Sequence, residues 1–185
     1  MIFRSHSELD GAHSFLSPSK HHWLNYSEEK LIDTYARAKA AQRGTELHAF
    51  AAEAIRLRQK LVGNGQTLNM YVNDAIGFRM DPEVVLYYSP FSFGTADAIG
   101  FNRGVLRIHD LKTGVTPAKM EQLEIYAALF CLEYNEKPSS LKFELRIYQN
   151  DEVVVKKSET DDIVPIIDKI VYFDKVLSEY REAVS

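Results

Sequence analysis

Apolar positions along the chain follow two rhythms, a helical spacing in several stretches and a two-residue alternation in others. Residues 17–26 (SPSKHHWLNY) read as a turn leading into a short aromatic segment, and 27–42, rich in Ala, Lys, Arg and Glu, as a helix. Gly44 is expected to interrupt that helix. Thr45 is then expected to cap a second one reaching about Leu61, since its hydroxyl can accept orphan backbone donors of a first turn. Gly63, Asn64 and Gly65 end it. Three segments with strand chemistry follow, 84–88, 93–101 and 105–112, the last two joined through Asn102, Arg103 and Gly104, so a β-meander is predicted. Thr116 and Pro117 are expected to open a helix to about Tyr134, with proline at the first helical position, where its missing N–H costs nothing. Segments 141–149 and 153–157 read as strands around a turn at Asn150 and Asp151, and 163–183 as a closing amphipathic helix. The order α, α, β, β, β, α, β, β, α belongs to an α/β (α+β) fold with a mixed central sheet flanked by helices.

Composition narrows the class. A chain of 185 residues, 45% hydrophobic, supports one core, so a single domain over 1–185 is expected, with 1–43 as an N-terminal helical segment, 44–157 as the core and 158–185 as a C-terminal helix. Repeats, low-complexity tracts and linker-like segments are absent from the sequence. The single cysteine, Cys131, lies among Ala127, Ala128, Leu129, Phe130 and Leu132, which excludes an intramolecular disulfide and a multi-cysteine metal site and points to an inert buried thiol. There is no run of about 18 apolar residues, and MIFRSHSELDGAHS lacks the charged-then-apolar order of a signal peptide. A soluble, cytoplasmic protein without a membrane partner is expected. The net charge of −4 argues against a general nucleic-acid coat protein. It leaves room for a nuclease, because metal ions bound by carboxylates reverse the local field. Lys20, Lys30, Arg37, Lys39, Arg43, Arg56, Arg58 and Lys60 cluster in the first third, as a phosphate track or as solvated helix faces.

The chemistry concentrates on two of the expected strands. Leu106, Ile108, Asp110 and Lys112 share one strand face, so an aspartate and a lysine stand at the end of an otherwise apolar stripe. Unpaired charges there are costly unless they meet each other, a metal or a substrate. Asp97, in phase with Thr95, Ile99 and Phe101, falls on the same face as Asp110 if the hairpin loop has two residues. With Arg103 and Gly104 as the loop the two aspartates face each other, Cβ atoms about 5 Å apart; with Asn102 and Arg103 they are diagonal, about 7–8 Å apart. Either spacing suits one divalent cation. The alternative is an Asp97 bonded near a turn and an ordinary Asp110–Lys112 surface pair.

The elements GTELH (44–48), GTADAIG (94–100), DLKTG (110–114) and QLEIY (122–126) resemble, in order, the motifs of the PD-(D/E)XK nucleases. The branch most similar is that of the RecB-like exonucleases, with its CRISPR-associated and phage recombination members, and SPSKHHWLNY resembles the start of phage-encoded proteins of that branch. The resemblance spans residues 13 to about 130 and implies a restriction-endonuclease-like core and a phosphodiester hydrolase acting on DNA. It further implies that His48, Asp97, Asp110 and the Leu111 backbone carbonyl ligate one or two Mg2+ or Mn2+ ions. Lys112 would orient the attacking water and neutralise charge on the phosphate.

Gln122 and Tyr126, four residues apart, project from one side of their helix, and in the family such a pair binds the substrate strand; the alternative is a tyrosine half-buried at a helix edge. The chain departs from the CRISPR-associated branch in having one cysteine, so no iron–sulfur cluster is expected. It also carries Ala96 where the family has proline, and Asp110 where glutamate is commoner.

Other acids and histidines receive structural readings. Glu53 sits five residues after His48, about 140° around a helix from it, and is left out. His109 faces away from Asp110, His6 and His13 have no ligand spacing, and His21 and His22 precede Trp23 in a segment expected to pack as an N-terminal hook rather than stack on DNA. An exonuclease in phage or bacterial recombination or end processing, working with a single-strand annealing protein and able to form a homo-oligomer, is the leading expectation. A structure-specific endonuclease and a non-catalytic nucleic-acid-binding module are the alternatives; the module is disfavoured because Asp97, Asp110 and Lys112 are all present.

Overall fold

The computed structural model describes residues 14–184; the N-terminal stretch with His6 and His13, and Ser185, lie outside the described residues. Two compact units are distinguished, residues 1–43 and 44–185. In the first, Pro18–Asn25 forms a 3-10 helix with proline in its first turn. Trp23 Nε1 donates to the Ser17 carbonyl at 3.1 Å, and Phe15 meets Tyr35 edge-on at 5.1 Å. His21 and His22 are exposed and stack on each other at 5.0 Å. The first half of helix α1 (Glu28–Arg56) completes this unit.

Helix α1 runs unbroken for 29 residues, so the interruption expected at Gly44 does not occur and Thr45 caps nothing. A mid-helix glycine costs only about 1 kcal/mol, which the packing of Ala51, Ala52, Ala54 and Ile55 in the second unit readily offsets. The reason for glycine at this position is a close approach. A Cβ at residue 44 would stand 2.8 Å from Thr113 Oγ1, so the bare backbone lets the helix settle on the loop that carries Thr113.

The second unit is built on a five-stranded mixed sheet in the order β1 (Asp81–Ser89), β2 (Ser92–Asn102), β3 (Val105–Leu111), β4 (Lys142–Gln149), β5 (Glu152–Lys156). All neighbours are antiparallel except β3 and β4, which are parallel and connected through α3 (Glu121–Tyr134). Together with α1, α2 (Thr67–Gly77) and α4 (Thr160–Val184), this is the mixed α/β architecture expected, a mixed sheet flanked by helices. Among the described residues no helix is long and apolar enough to cross a membrane.

Two clusters hold the sheet. On one face Leu106, Ile108, Leu123, Leu145 and Ile163 join α3 and α4 to the strands. On the other, Ile55, Val72, Ala75, Leu111 and Tyr148 join α1 and α2. Each large aliphatic side chain buried here contributes about 1.5–3 kcal/mol.

Helix α2 is absent from the expectation above. Leu68, Tyr71, Val72 and Ala75 do repeat at helical spacing, but the stretch is short and rich in asparagine and β-branched or aromatic residues, which favour helix weakly; burial of Tyr71, Val72 and Ala75 stabilises it. Helix α3 begins at Glu121, not at Thr116. The intervening loop is tied down by the Gln149 side chain, whose Nε2 donates to the Gly114 and Thr116 carbonyls and whose Oε1 accepts from Ala118 N–H. Cys131 is buried, and burial pushes its thiol up to about 11, as an inert thiol requires.

Candidate metal centre

The β2–β3 register pairs Asn102 with Val105 and Ala98 with His109, leaving Arg103 and Gly104, both at positive φ, as a two-residue turn. Continued by one residue, this register sets Asp97 directly across from Asp110. The register between β1 and β2 passes from Pro82–Ala98 to Val84–Ala96, which sets Glu83 across from Asp97. Three carboxylates thus stand in a row across three adjacent strands.

The expected phase of Asp97 with both Thr95 and Ile99 does not hold. Ala96 and Ile99 both face α3, while Ala98 lies in the opposite cluster with α1 and α2. Alternation therefore breaks at Asp97. Its neighbour across the pair, Glu83, adopts φ 54°, a left-handed backbone uncommon for a residue with a side chain, so both strands depart from regular geometry at the same level.

His48 reaches this level from α1. It lies one turn beyond Gly44, so the close approach of Gly44 to Thr113 and the position of His48 over the sheet belong to the same helix face. Its Nδ1 is 3.5 Å from Asp97 Oδ1, and ligand atoms of His48, Glu83 and Asp97 lie within 4.8 Å of one another. Asp97 Oδ2 accepts the Leu111 backbone N–H at 2.8 Å, so Leu111 meets the site through its amide.

Asp110 is outside that tightest group. Its Oδ1 receives Lys112 Nζ at 3.0 Å, and its Oδ2 is buried without a hydrogen-bond partner among the described residues. Lys112 Nζ also donates to Gln122 Oε1 at 3.0 Å, and Gln122 Nε2 lies 3.5 Å from the Tyr126 hydroxyl. All seven residues expected at the site are thus linked in one chain of contacts from α1 to α3. Glu83 was not among them. Its strand was expected to begin only at 84, and an acid just before a strand carries no pattern signal. Glu53, left out on helical geometry, pairs with Arg56 at 3.7 Å on the exposed surface.

The electrostatics are those of crowded acids. Burial, then the Asp97 charge, raises the pKa of Asp110, with Lys112 and His48 opposing. Burial and Asp97 likewise raise that of Glu83. The Asp97 carboxylate raises the imidazole of His48 against the effect of burial. A divalent cation among these groups would reverse each shift, and an orphaned buried carboxylate oxygen beside a His and two acids suits hard or borderline cations such as Mg2+ or Mn2+. Beside Lys112 a cleft opens between Leu47, Thr67, Leu68, Leu111, Thr113 and Asn150.

On the opposite side of β3, His109 is fully buried and away from this centre, as its alternation with Asp110 requires. No protein-family model, curated protein or solved structure matches the chain. The chemistry of the centre therefore rests on its own residues.

Proposed function

We propose that this protein is a metal-dependent deoxyribonuclease with a restriction-endonuclease-like core, acting in the cytoplasm as an exonuclease on DNA ends, with a single-strand annealing protein as partner. The observation that carries the reading is the row Glu83, Asp97 and Asp110 across β1, β2 and β3, with His48 above it and Lys112 beside it. His48, Glu83, Asp97 and Asp110 would hold one or two Mg2+ or Mn2+ ions. Such ions polarise a phosphoryl oxygen and lower the pKa of water at the site.

The remaining work falls to the chain itself. The attacking water gives up a proton to solvent and its oxygen bonds to phosphorus as the bond to the departing sugar oxygen breaks. That departing oxygen takes a proton from solvent, and negative charge rises on the phosphate in between. Lys112 meets that charge. Asp110 and Gln122 occupy two of the three donors of its ammonium group and fix its direction, so a third is directed to a phosphate oxygen. Tyr126, beside Gln122, extends the contact to the substrate strand.

Incubation with end-labelled linear DNA and with closed circles, in Mg2+, Mn2+ or EDTA, tests the proposal. Metal-dependent loss of linear DNA alone is expected; nicking of circles would replace the exonuclease with an endonuclease, and inertness towards both would overturn the enzyme. A second expectation concerns Glu83. Glu83→Gln should weaken Mn2+ binding by at least roughly tenfold, the size seen even for outer partners of metal sites. Calorimetric titration with Mn2+ measures this, and unchanged affinity would remove Glu83 from the ligand set.

A further inference from the structure

Beyond the carboxylate row, β1 and β2 run on as a two-stranded arm, because β2 pairs with β3 only from Ala98 onward. One face of the arm is covered. Val84, Leu86, Tyr88 and Ala96 pack with the α3 cluster, and a Cβ on Gly94 would meet the Tyr126 ring at 3.0 Å. The other face carries Val85, Tyr87 and Phe93, all exposed, with Thr95 across from Val85.

Tyr87 and Phe93 are direct cross-strand partners. Their rings lie 6.3 Å apart at 31°, which makes one broad aromatic platform rather than two separate side chains. Glu133 Oε2 accepts the Tyr87 N–H and fixes the edge strand at this point. At the arm's tip the Arg181 guanidinium lies 5.1 Å over the Phe91 ring, which places a cation beyond the platform.

The platform adjoins the centre along the chain. Val85 and Tyr87 follow Glu83 on β1, and Phe93 and Thr95 precede Asp97 on β2. Tyr87 lies four residue steps from Glu83, about 13 Å at the rise of an extended chain.

We infer that this arm is a stacking platform that holds the unpaired bases of a single-stranded DNA segment leading into the cleavage centre, Tyr87 and Phe93 being its binding residues. The inference rests on the nuclease reading for the position of the scissile bond, but not for the binding itself. In a duplex the faces of the bases are covered by their neighbours, whereas unpaired bases expose faces on which aromatic side chains stack with little sequence preference.

The experiment measures anisotropy of a short fluorescein-labelled oligothymidylate and of a blunt duplex, both in EDTA, with the full chain. It is run alongside cleavage of each in Mg2+ and Mn2+. Wild type should prefer the single strand. Tyr87→Leu and Phe93→Leu, which keep apolar surface but lose the ring, should each weaken that binding by roughly tenfold. Tyr87→Phe should restore it, and the cleavage defect should appear in KM with kcat retained.

Leucine variants that are folded by circular dichroism yet bind as wild type overturn the platform, whether or not the protein cuts DNA. Ring-dependent binding without any cleavage by wild type supports the platform and overturns the nuclease. Conversion of a dimer to a monomer by the leucine variants, with single-strand affinity intact, assigns the patch to a second copy of the chain and overturns the inference.

Discussion

Asp110→Asn is expected to leave a folded protein that cuts DNA at least about a thousandfold more slowly, a loss of roughly 4 kcal/mol in transition-state stabilisation. On the proposed reading the carboxylate offers Lys112 a charged acceptor and a cation a second oxygen, whereas an amide keeps only a neutral acceptor. One oxygen directs Lys112 at 3.0 Å, and the other is buried with no partner, free to ligate a cation. Asparagine is nearly isosteric, so the loss is one of charge rather than shape.

Stability should move in the opposite direction. In the fold the Asp110 carboxyl titrates above its ordinary value, chiefly through burial and next through Asp97, so the folded state holds its proton more firmly than the unfolded chain does. Stability from this group is therefore present below the ordinary carboxylate range and is lost as pH rises through the raised value. At neutral pH the metal-free Asp110→Asn protein should melt higher than wild type, and added Mn2+ should raise the melting temperature of wild type much more than that of the variant. Single-turnover cleavage and thermal melts with and without Mn2+ measure both. Activity within about tenfold of wild type would remove Asp110 from the centre.

The second large effect is acid destabilisation through His109. This imidazole is fully buried, with Nδ1 3.3 Å from the Tyr148 hydroxyl and Nε2 without a partner among the described residues. Burial, with the Arg146 and Arg107 charges, depresses its pKa to about 3. The unfolded chain takes up a proton near the ordinary histidine value while the folded state refuses it. The contribution is thus complete above that value and lost progressively as pH falls towards the folded one. From pH 7 to pH 5 the loss is about 2 kcal/mol, and by pH 4 roughly 3 kcal/mol.

Since carboxylates also add acid dependence, the measurement is the difference between wild type and His109→Gln in urea unfolding at each pH. Glutamine is neutral throughout and can still meet Tyr148. Equal losses in the two proteins would mean that His109 takes up its proton in the folded state.

The strands and their order were legible because half-buried sheet positions carry a period of two and the turns carry their own residues. Arg103 with Gly104, and Asn150 with Asp151, adopt the positive φ that tight hairpins need. Asp110 and Lys112 were legible for the same reason, two residues apart at the end of an apolar stripe. Helix ends were less so. The loop before α3 is fixed by Gln149, a residue distant in sequence, and α2 depends on burial more than on propensity.

By itself the sequence determined the mixed sheet and the common face of Asp110 and Lys112, since side-chain period is a local property. Of the hairpin loops it allowed, the structure adopts the Arg103–Gly104 turn that brings Asp97 level with Asp110. Only tertiary structure decided the rest of the centre. Glu83 enters at a positive φ on β1, at the level where alternation breaks on β2. His48 enters because Gly44, one turn earlier, has no Cβ to hold α1 away from Thr113. Both depend on how closely separate elements approach, a quantity set by contacts between residues far apart in the chain and carried by no local pattern.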